Sequence, residues 1–394
     1  MWNRVEILFI ELCMKVMKFG GSVLRSHEGF TQMVNILRSQ SNIPLLVIIS
    51  AFATSTRDLE RSARAAERGE QELAIAFCDE IIREHRHFSD ELLTNTTTKD
   101  ALGFFLDECA TRLNQLLRGI SITRELTPRT LDIILSYGEM LALHIVRHFL
   151  GESGFDLTFV DSSTIIVTNA VHGAATPDSS RTALNVERVL RPAFVKSNVV
   201  LSQGFVAKSF SGEITTMGKE SSNLTATLLA EHLGADEVVI WTDVEGIYSA
   251  DPKLIPKAQP IPQMNYDQAR KAAASGLKLI YSTMIEPSER ANIPLVFRSA
   301  FAPDGNCTRI LAQADSWLPL FAIREVSPTV SEISILNGSS WLVLNALQRF
   351  DITKWKDIPF SISITPEECR FTLPAGTKTE EAVKFLHEQV VELL

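Results

Sequence analysis

The chain has 394 residues, of which 45% are hydrophobic and 22% are charged. This is the composition of a globular protein, and the length favours two or more domains over a single core. The formal net charge is −9 and no lysine- or arginine-rich block is present, which excludes a nucleic-acid partner. The cysteines form no C-x-x-C pair and the histidines have no metal-ligand spacing. We therefore expect reduced thiols in a cytoplasmic protein, and no metal ligands in the chain.

The first residues contain a short apolar run, 7–10, that is bounded by glutamates. It is too short to span a membrane and lacks the layout of a signal peptide. We therefore expect no membrane partner, and we expect residues 1–14 to be an extension that precedes the fold.

Apolar, β-branched segments alternate with segments of helical periodicity along most of the chain. The predicted strands are 15–19, 44–50, 157–161, 198–202, 237–241 and 294–297. The predicted helices are 29–39, 58–87, 100–118, 128–150, 222–233 and 266–275. This alternation predicts an α/β fold with a mostly parallel sheet sandwiched by helices. Ligands bind such sheets beyond the carboxyl ends of the strands, where the glycine and hydroxyl clusters of this sequence lie.

The pattern changes from about residue 315 onwards. Strands are predicted at 332–336, 359–365 and 370–373, and helices at 340–350 and 378–393. The last helix is amphipathic, with Ala382, Phe385, Leu386 and Val390 on one stripe. These elements predict a separate small α+β module.

The first predicted strand ends in Lys18-Phe19-Gly20-Gly21-Ser22. Glycines let backbone N–H groups approach anionic oxygens, and a lysine at the mouth supplies positive charge for a phosphoryl group in transfer. The same residues also suit an ordinary turn. Since neither G-x-x-x-x-G-K-[ST] nor G-x-G-x-x-G occurs, P-loop and Rossmann sites lack their main signature.

Two later loops carry further chemistry. Residues 215–223 form a small-residue loop that leads into a helix, whose unpaired N–H groups suit an anion. The alternative is that Ser222 or Asn223 is only the helix N-cap. Asp243 follows a strand and suits ribose or a metal, and the alternative there is an Asx turn.

Taken together, these segments resemble the aspartate kinases of the amino acid kinase family. The similarity runs in order from residue 15 to about residue 310. The matching segments are KFGGSV (18–23), SAFATST (50–56), LTPRT and LSYGE (126–139), QGF (203–205), TTMGKESSN (215–223), IWTDVEGIYSADPKLIP (240–256), SGLKLI (275–280) and ANIPLVFRS (291–299). The run WTDVEGIYSADP is long and highly specific.

The resemblance implies transfer of the γ-phosphoryl group of ATP, with Mg²⁺, to the side-chain carboxylate of L-aspartate. Lys18 matches the lysine that steadies the transferred phosphoryl group, Lys278 a second lysine at the phosphates, and Glu139 the group that receives the substrate ammonium. The other positions that match nucleotide contacts are Gly20, Gly21, Ser22, Thr242, Asp243, Tyr248 and Lys253. The other positions that match the amino-acid site are Ser50, Thr56, Lys219 and Ser222.

Two positions depart from the family pattern. Lys219 stands where the family has an arginine that holds the substrate α-carboxylate, and an ammonium lacks the bidentate fork of a guanidinium. Asn223 stands at a catalytic position where the family has an aspartate that organises the lysine, and an amide supplies no negative charge. Glu220 is a candidate for the missing charge by its place in the sequence. Three functions stay open: an aspartate kinase, a kinase of another small amino acid or carboxylate, and a catalytically weak paralogue that binds ATP or an effector.

The C-terminal module resembles a shortened ACT domain, the amino-acid-sensing unit of these kinases. We expect a kinase domain at 15–312 and an ACT-like regulatory domain at 318–394, with a possible amino-acid effector. A lone ACT unit would pair with a copy in another chain, which predicts a homodimer.

Overall fold

The structure, a computed structural model, describes residues 13–314, 318–338, 343–345, 348, 361–365 and 368–391. The chain divides into two compact units between Asp243 and Val244. The division falls inside the segment expected to form the kinase domain, and the assignment of functional domains stays a prediction. The predicted extension, 1–14, lies almost wholly outside the described residues.

The first unit is built on a parallel sheet. Its strands are Lys15–Phe19 (β1), Leu45–Ile49 (β2), Leu157–Phe159 (β3), Val167–Thr168 (β4), Val199–Gln203 (β5), Val206–Ser209 (β6), Ile214–Thr216 (β7) and Glu237–Thr242 (β8). In this unit the sheet has the order β8-β1-β2-β5-β3, with every pair parallel. Strand β2 is buried along its whole length, which explains its continuous apolar sequence. The strands β4, β6 and β7 form a second small sheet.

The helices of the first unit include the predicted segments, with one predicted helix divided in two and with two further helices, Ser179–Asn185 and Arg191–Lys196, that the sequence pattern missed. They are His27–Ser39 (α1), Ser55–Glu67 (α2), Gln71–Leu92 (α3), Thr96–Thr123 (α4), Pro128–Glu152 (α5), Ser179–Asn185 (α6), Arg191–Lys196 (α7) and Ser221–Leu233 (α8). The single helix predicted at 58–87 was wrong, because α2 and α3 are separate helices. Gly69 between them has a φ of 82°, a left-handed conformation that glycine adopts readily and that ends a helix.

Helix α5 is the central helix of this unit. Among the described helices it is the one long and apolar enough to cross a membrane, yet more than half of that apolar window is buried inside the protein. It also carries two buried carboxylates, Asp132 and Glu139. These are the properties of a core helix, and α5 packs against β2, β5 and β7.

The second unit contains two kinds of sheet. Its strands are Ile247–Tyr248 (β9), Pro260–Ile261 (β10), Gln263–Asn265 (β11), Leu295–Ser299 (β12), Cys307–Leu311 (β13), Leu320–Ser327 (β14), Val330–Leu336 (β15), Ser361–Ile364 (β16) and Glu368–Pro374 (β17). Its helices are Tyr266–Ala274 (α9), Ser282–Ala291 (α10) and Thr377–Val391 (α11). β13 pairs with β12 antiparallel and with β11 parallel.

The C-terminal strands form an antiparallel sheet of order β14-β15-β17-β16, and α11 packs against β15 and β17. Phe321, Ile333, Phe371 and Leu386 lie in their shared core. The prediction of a small α+β module is confirmed, although the sequence pattern missed β14. The predicted helix at 340–350 lies mostly outside the described residues. The α/β class with a mostly parallel sheet is confirmed as well.

Candidate active site

The glycine loop follows β1 at the carboxyl end of the parallel sheet. Gly20 donates its N–H to Trp241 O at 3.1 Å, and its carbonyl accepts from Val23 N and Leu24 N at 3.0 and 3.2 Å. Within the part of the chain that the structure describes, the N–H groups of Gly21 and Ser22 donate to no protein acceptor. Two backbone donors are thus left for an anion.

Gly21 is fixed by close packing rather than by its φ angle. A Cβ atom built on Gly21 would lie 2.3 Å from Ala51 O, so only glycine fits between the two loops. A Cβ atom on Gly20 would lie 3.4 Å from Lys18 Nζ. The glycine pair therefore brings the loop against the segment after β2 and leaves space next to the ammonium.

Lys18 lies in β1 and is only 5% exposed. Its neighbours in register on β2 and β8 are Ile48 and Ile240, and burial lowers its pKa. Glu220 and Glu139 act in the opposite direction and raise this pKa, with Glu220 the stronger of the two. A buried ammonium next to a glycine loop is suited to bind a phosphoryl group.

Glu139 lies on α5 and is 3% exposed. Its Oε1 accepts a long hydrogen bond of 3.4 Å from Ala51 N, whereas its Oε2 has no hydrogen-bond partner among the residues that the structure describes. Burial is the main cause that raises its pKa to about 8. A buried carboxylate with a free oxygen can be stabilised by a cation, such as the ammonium of an amino acid.

The start of α8 lies at the same edge of the sheet. Ser222 Oγ is 3.2 Å from Ser50 Oγ, the first residue after β2. A Cβ atom on Gly204 would lie 2.6 Å from Ser222 Oγ, so the turn after β5 also packs tightly on this helix. Asn223 is buried, and its Oδ1 has no hydrogen-bond partner in the described ranges. Two separate strand ends thus fix the position of Ser222 at the start of α8.

The N-cap alternative for Ser222 and Asn223 was wrong, because Glu220 is the N-cap residue of α8. Its side chain makes no capping hydrogen bond. Lys219 is exposed, and its side chain contacts no hydrogen-bonding or charged partner among the described residues. Its cation is therefore available to a ligand.

Two further candidates lie in this unit. Thr56 is half-buried in α2, and its Oγ1 would lie 3.5 Å from a Cβ atom built on Gly138, the residue before Glu139. Thr242 Oγ1 donates to Asp243 Oδ1 at 3.2 Å, and Asp243 pairs at 3.8 Å with Arg25. That carboxylate is thus at the surface and close to the residues that follow the glycine loop.

The second unit holds the other candidates. Tyr248 is half-buried in β9, whereas Lys253 and Lys278 are exposed. Asp251 Oδ1 accepts a hydrogen bond from Lys253 N at 2.9 Å, which makes an Asx turn here.

The C-terminal module contacts two of these segments. Ser249 Oγ lies 2.9 Å from His387 Nε2 on α11. Gly276, with a φ of 101°, packs on β14, where a Cβ atom would lie 2.8 Å from Arg324 Cβ. The segments that carry Tyr248 and Lys278 are therefore each held by the C-terminal module.

Sequence reasoning missed two residues that support the site. His85 stacks on Phe52 at 4.9 Å and lies 3.3 Å from Ser55 Oγ, so it braces the segment after β2. Burial lowers the His85 pKa to about 4, so it is neutral near pH 7. Phe205 adopts a φ of 66° and donates its N–H to Thr225 Oγ1 on α8. The contacts of both residues join distant segments and carry no sequence signal, although Phe205 belongs to the matching segment QGF (203–205).

No group of three His, Cys, Asp or Glu side chains among the described residues is arranged to hold a metal ion. Mg²⁺ bound here would therefore take its ligands mainly from phosphate oxygens and water, which is common for this ion.

Both the sequence and the fold of this chain are similar to those of known proteins. The chain is similar to the aspartokinase of Chlamydia pneumoniae, with 30% identity over 308 residues that cover 75% of this chain and 62% of that protein. Its structure is similar to E. coli aspartokinase III in complex with aspartate and ADP, with 25% identity, a TM-score of 0.70, and coverage of 92% of this chain and 79% of that chain.

The same enzyme in complex with lysine and aspartate gives 25% identity, a TM-score of 0.71, and coverage of 96% of this chain and 83% of that chain. The chain spans 52 to 62% of the length of the first curated relatives that it matches. The model of the amino acid kinase family matches residues 14–299. The chain therefore belongs to the amino acid kinase family.

Proposed function

We propose that this protein is an aspartate kinase, which transfers the γ-phosphoryl group of ATP to the side-chain carboxylate of L-aspartate and yields 4-phospho-L-aspartate. The observation that carries the proposal is the set of buried polar groups at the carboxyl edge of the sheet. Lys18, Glu139 and Asn223 are nearly inaccessible to solvent, and within the described part of the chain Glu139 Oε2 and Asn223 Oδ1 have no hydrogen-bond partners. Burial of such groups without partners costs free energy when no ligand is bound, and a charged ligand can supply the missing hydrogen bonds and charge.

The reaction needs no protein nucleophile. An oxygen of the aspartate side chain bonds to the γ-phosphorus as the bond to the β,γ-bridging oxygen breaks, and ADP leaves. Catalysis is then a matter of positioning and of neutralising charge. In this scheme Lys18 binds the phosphoryl group in transfer, the free N–H groups of Gly21 and Ser22 bind phosphate oxygens, and Glu139 receives the substrate ammonium.

The other nucleotide contacts are proposed by resemblance. They are Gly20, Thr242, Asp243, Tyr248, Lys253 and Lys278. Mg²⁺ would be held by the triphosphate and water and would neutralise charge on the phosphates. Ser50, Thr56, Lys219 and Ser222 would contact the amino acid, and Asn223 would act next to Lys18.

A second candidate is a kinase of another small amino acid or carboxylate. The observation that favours it is the presence of Lys219 and Asn223 at two positions that, in the family pattern, serve the amino acid and the catalytic lysine. Lys219 is exposed and has no partner among the described residues, so it offers a single point charge to an α-carboxylate instead of a bidentate fork.

The test is an assay of the full chain with ATP, Mg²⁺ and a panel of amino acids, in which hydroxylamine traps any acyl phosphate. Hydroxamate formation with aspartate alone supports the proposal, and formation with a different acceptor supports the second candidate. Binding of ATP without turnover of any acceptor contradicts both and indicates a regulatory paralogue. Lys18→Met serves as the control for acyl phosphate made by a contaminating kinase.

Regulation and assembly are part of the same proposal. We infer an ACT-like role for the C-terminal sheet and α11, with a small amino acid as effector. The similarity to a lysine complex of an aspartokinase supports this choice. We also propose a cytoplasmic homodimer in which two such modules pair, and light scattering of the full chain would test the dimer.

A further inference from the structure

Resting on the proposed function, we propose that Glu220 is a positioning residue that acts through Lys18, and that it supplies the negative charge which Asn223 lacks. The family pattern has an aspartate at the position of Asn223, so this chain would have moved the carboxylate to the start of the same helix.

Glu220 lies at the edge of the sheet where Lys18 acts. It directly precedes α8, which packs against β1. Ser222, two residues further on, contacts Ser50 at the carboxyl end of β2. Lys18 lies near the carboxyl end of the adjacent parallel strand β1. Glu220 therefore lies at the same edge of the sheet as the ammonium of Lys18.

The backbone of Glu220 indicates that the side chain is present for its charge. Glu220 has a φ of 59°, a left-handed conformation that glycine adopts at lower cost than glutamate. N-cap residues are usually serine, threonine, aspartate or asparagine, whose side chains bind the first N–H groups of a helix. Glu220 makes no such bond. Neither the turn nor the cap explains a glutamate here.

The electrostatic environment of Lys18 matches this assignment. Two carboxylates raise the Lys18 pKa against the effect of burial, and the contribution of Glu220 is larger than that of Glu139 from α5. On β2 and β8 the neighbours in register are apolar. Glu220 is exposed while Lys18 is buried, so the interaction matters more for the ammonium than for the carboxylate.

A protonated Lys18 is what a phosphoryl transfer requires. Burial favours the neutral amine, and Glu139 would be partly neutralised by the substrate ammonium that it binds. Glu220 would then remain to keep Lys18 charged in the complex. Asn223, whose Oδ1 has no partner, can accept a hydrogen bond from Lys18 but cannot shift its protonation in this way.

The test measures the Lys18 pKa directly, by NMR titration of the full chain with isotopically labelled lysine, and compares it with the pH profile of kcat. We expect Glu220→Gln to lower the Lys18 pKa and to move the basic limb of the kcat profile to lower pH by the same amount. Glu220→Gly should do the same while raising the melting temperature, because glycine relieves the left-handed strain. Glu84→Gln, which changes an exposed carboxylate on α3, is the matched control and should change neither quantity.

Rescue separates an electrostatic role from a structural one. Adding Asn223→Asp to Glu220→Gln places a carboxylate at the family position and should restore both the Lys18 pKa and the basic limb. An unchanged Lys18 pKa in Glu220→Gln overturns the inference, as does a shift that Asn223→Asp fails to reverse. If the pKa responds as expected but no acceptor is phosphorylated, the charge relation stands and the proposed function fails.

Discussion

Two buried carboxylates on the same face of α5 differ in the number of hydrogen bonds that they accept. Asp132 is 1% exposed and Glu139 is 3% exposed, and their spacing places them two helical turns apart. Asp132 accepts hydrogen bonds from Thr216 Oγ1 at 2.5 Å, Gly173 N at 3.1 Å and His172 Nδ1 at 2.8 Å. Glu139 accepts one bond of 3.4 Å, from Ala51 N.

The difference separates a structural carboxylate from one that is available to a ligand. Asp132 ties α5 to β7 and to the segment before α6, and its partners are complete without any bound molecule. Glu139 has an oxygen that no described residue contacts by a hydrogen bond, and burial raises its pKa to about 8. Burial therefore does not distinguish the two carboxylates, whereas the number of hydrogen-bond donors around each of them does.

The largest expected effect concerns Lys18, whose pKa is raised by Glu139, one of the two carboxylates compared. Lys18→Met removes the ammonium that would act on the phosphoryl group, and we expect kcat to fall by about a thousandfold or more. The fold should persist, because the methionine side chain fills similar space without a buried charge. Steady-state kinetics and the melting temperature measure the two quantities. Retention of the wild-type kcat would remove Lys18 from the mechanism.

The second prediction exchanges the two carboxylates for their amides. Asp132→Asn should reduce the free energy of unfolding by about 2 to 3 kcal/mol, because an NH₂ group would replace one of the two accepting oxygens and face the donors that bind that oxygen. Glu139→Gln should leave stability equal or higher and should raise KM for the amino acid, since the receptor for the ammonium is lost. Urea unfolding and steady-state kinetics of the same two variants provide the comparison. Equal loss of stability in both variants would contradict the distinction.

A third prediction concerns pH. The folded-state pKa of Glu139, about 8, exceeds its ordinary value of 4.5, so between these limits the folded state binds more protons than the unfolded one. Stability should therefore fall as pH rises from 4.5 to 8, with a slope from this group of at most about 1.4 kcal/mol per pH unit. Glu139→Gln should flatten this slope, and unfolding curves across that range would show it. An identical slope in both proteins would show that Glu139 titrates normally.

The local features of the site could be predicted from the sequence, because they depend on neighbouring residues. The predicted strand at 15–19 matches β1, and the helix predicted at 222–233 begins one residue late against α8. Contacts between distant segments could not be predicted. Thr216 binds Asp132 across 84 positions, and that separation carries no periodic signal.

Backbone conformation was the second feature of the site that could not be predicted from the sequence. Glu220 and Phe205 adopt left-handed φ angles that non-glycine residues rarely adopt. The sequence suggests neither. The N-cap was therefore assigned to the small polar residues that usually occupy it, and the role of Glu220 depended on the structure.

The smallest expected effect concerns Lys219, which is proposed to contact the amino acid and has no protein partner among the described residues. Lys219→Arg would give the bidentate fork that the family pattern has at this position. We expect KM for aspartate to fall by a few-fold, roughly the effect of one added charge-assisted hydrogen bond reduced by solvent exposure. The KM for ATP should stay the same, because the glycine loop is unchanged. Lys208→Arg on β6 is the matched control and should alter neither constant. If KM for aspartate rises instead, the loop from Gly218 to Glu220 is shaped around an ammonium, and the second candidate, a different acceptor, becomes the better proposal.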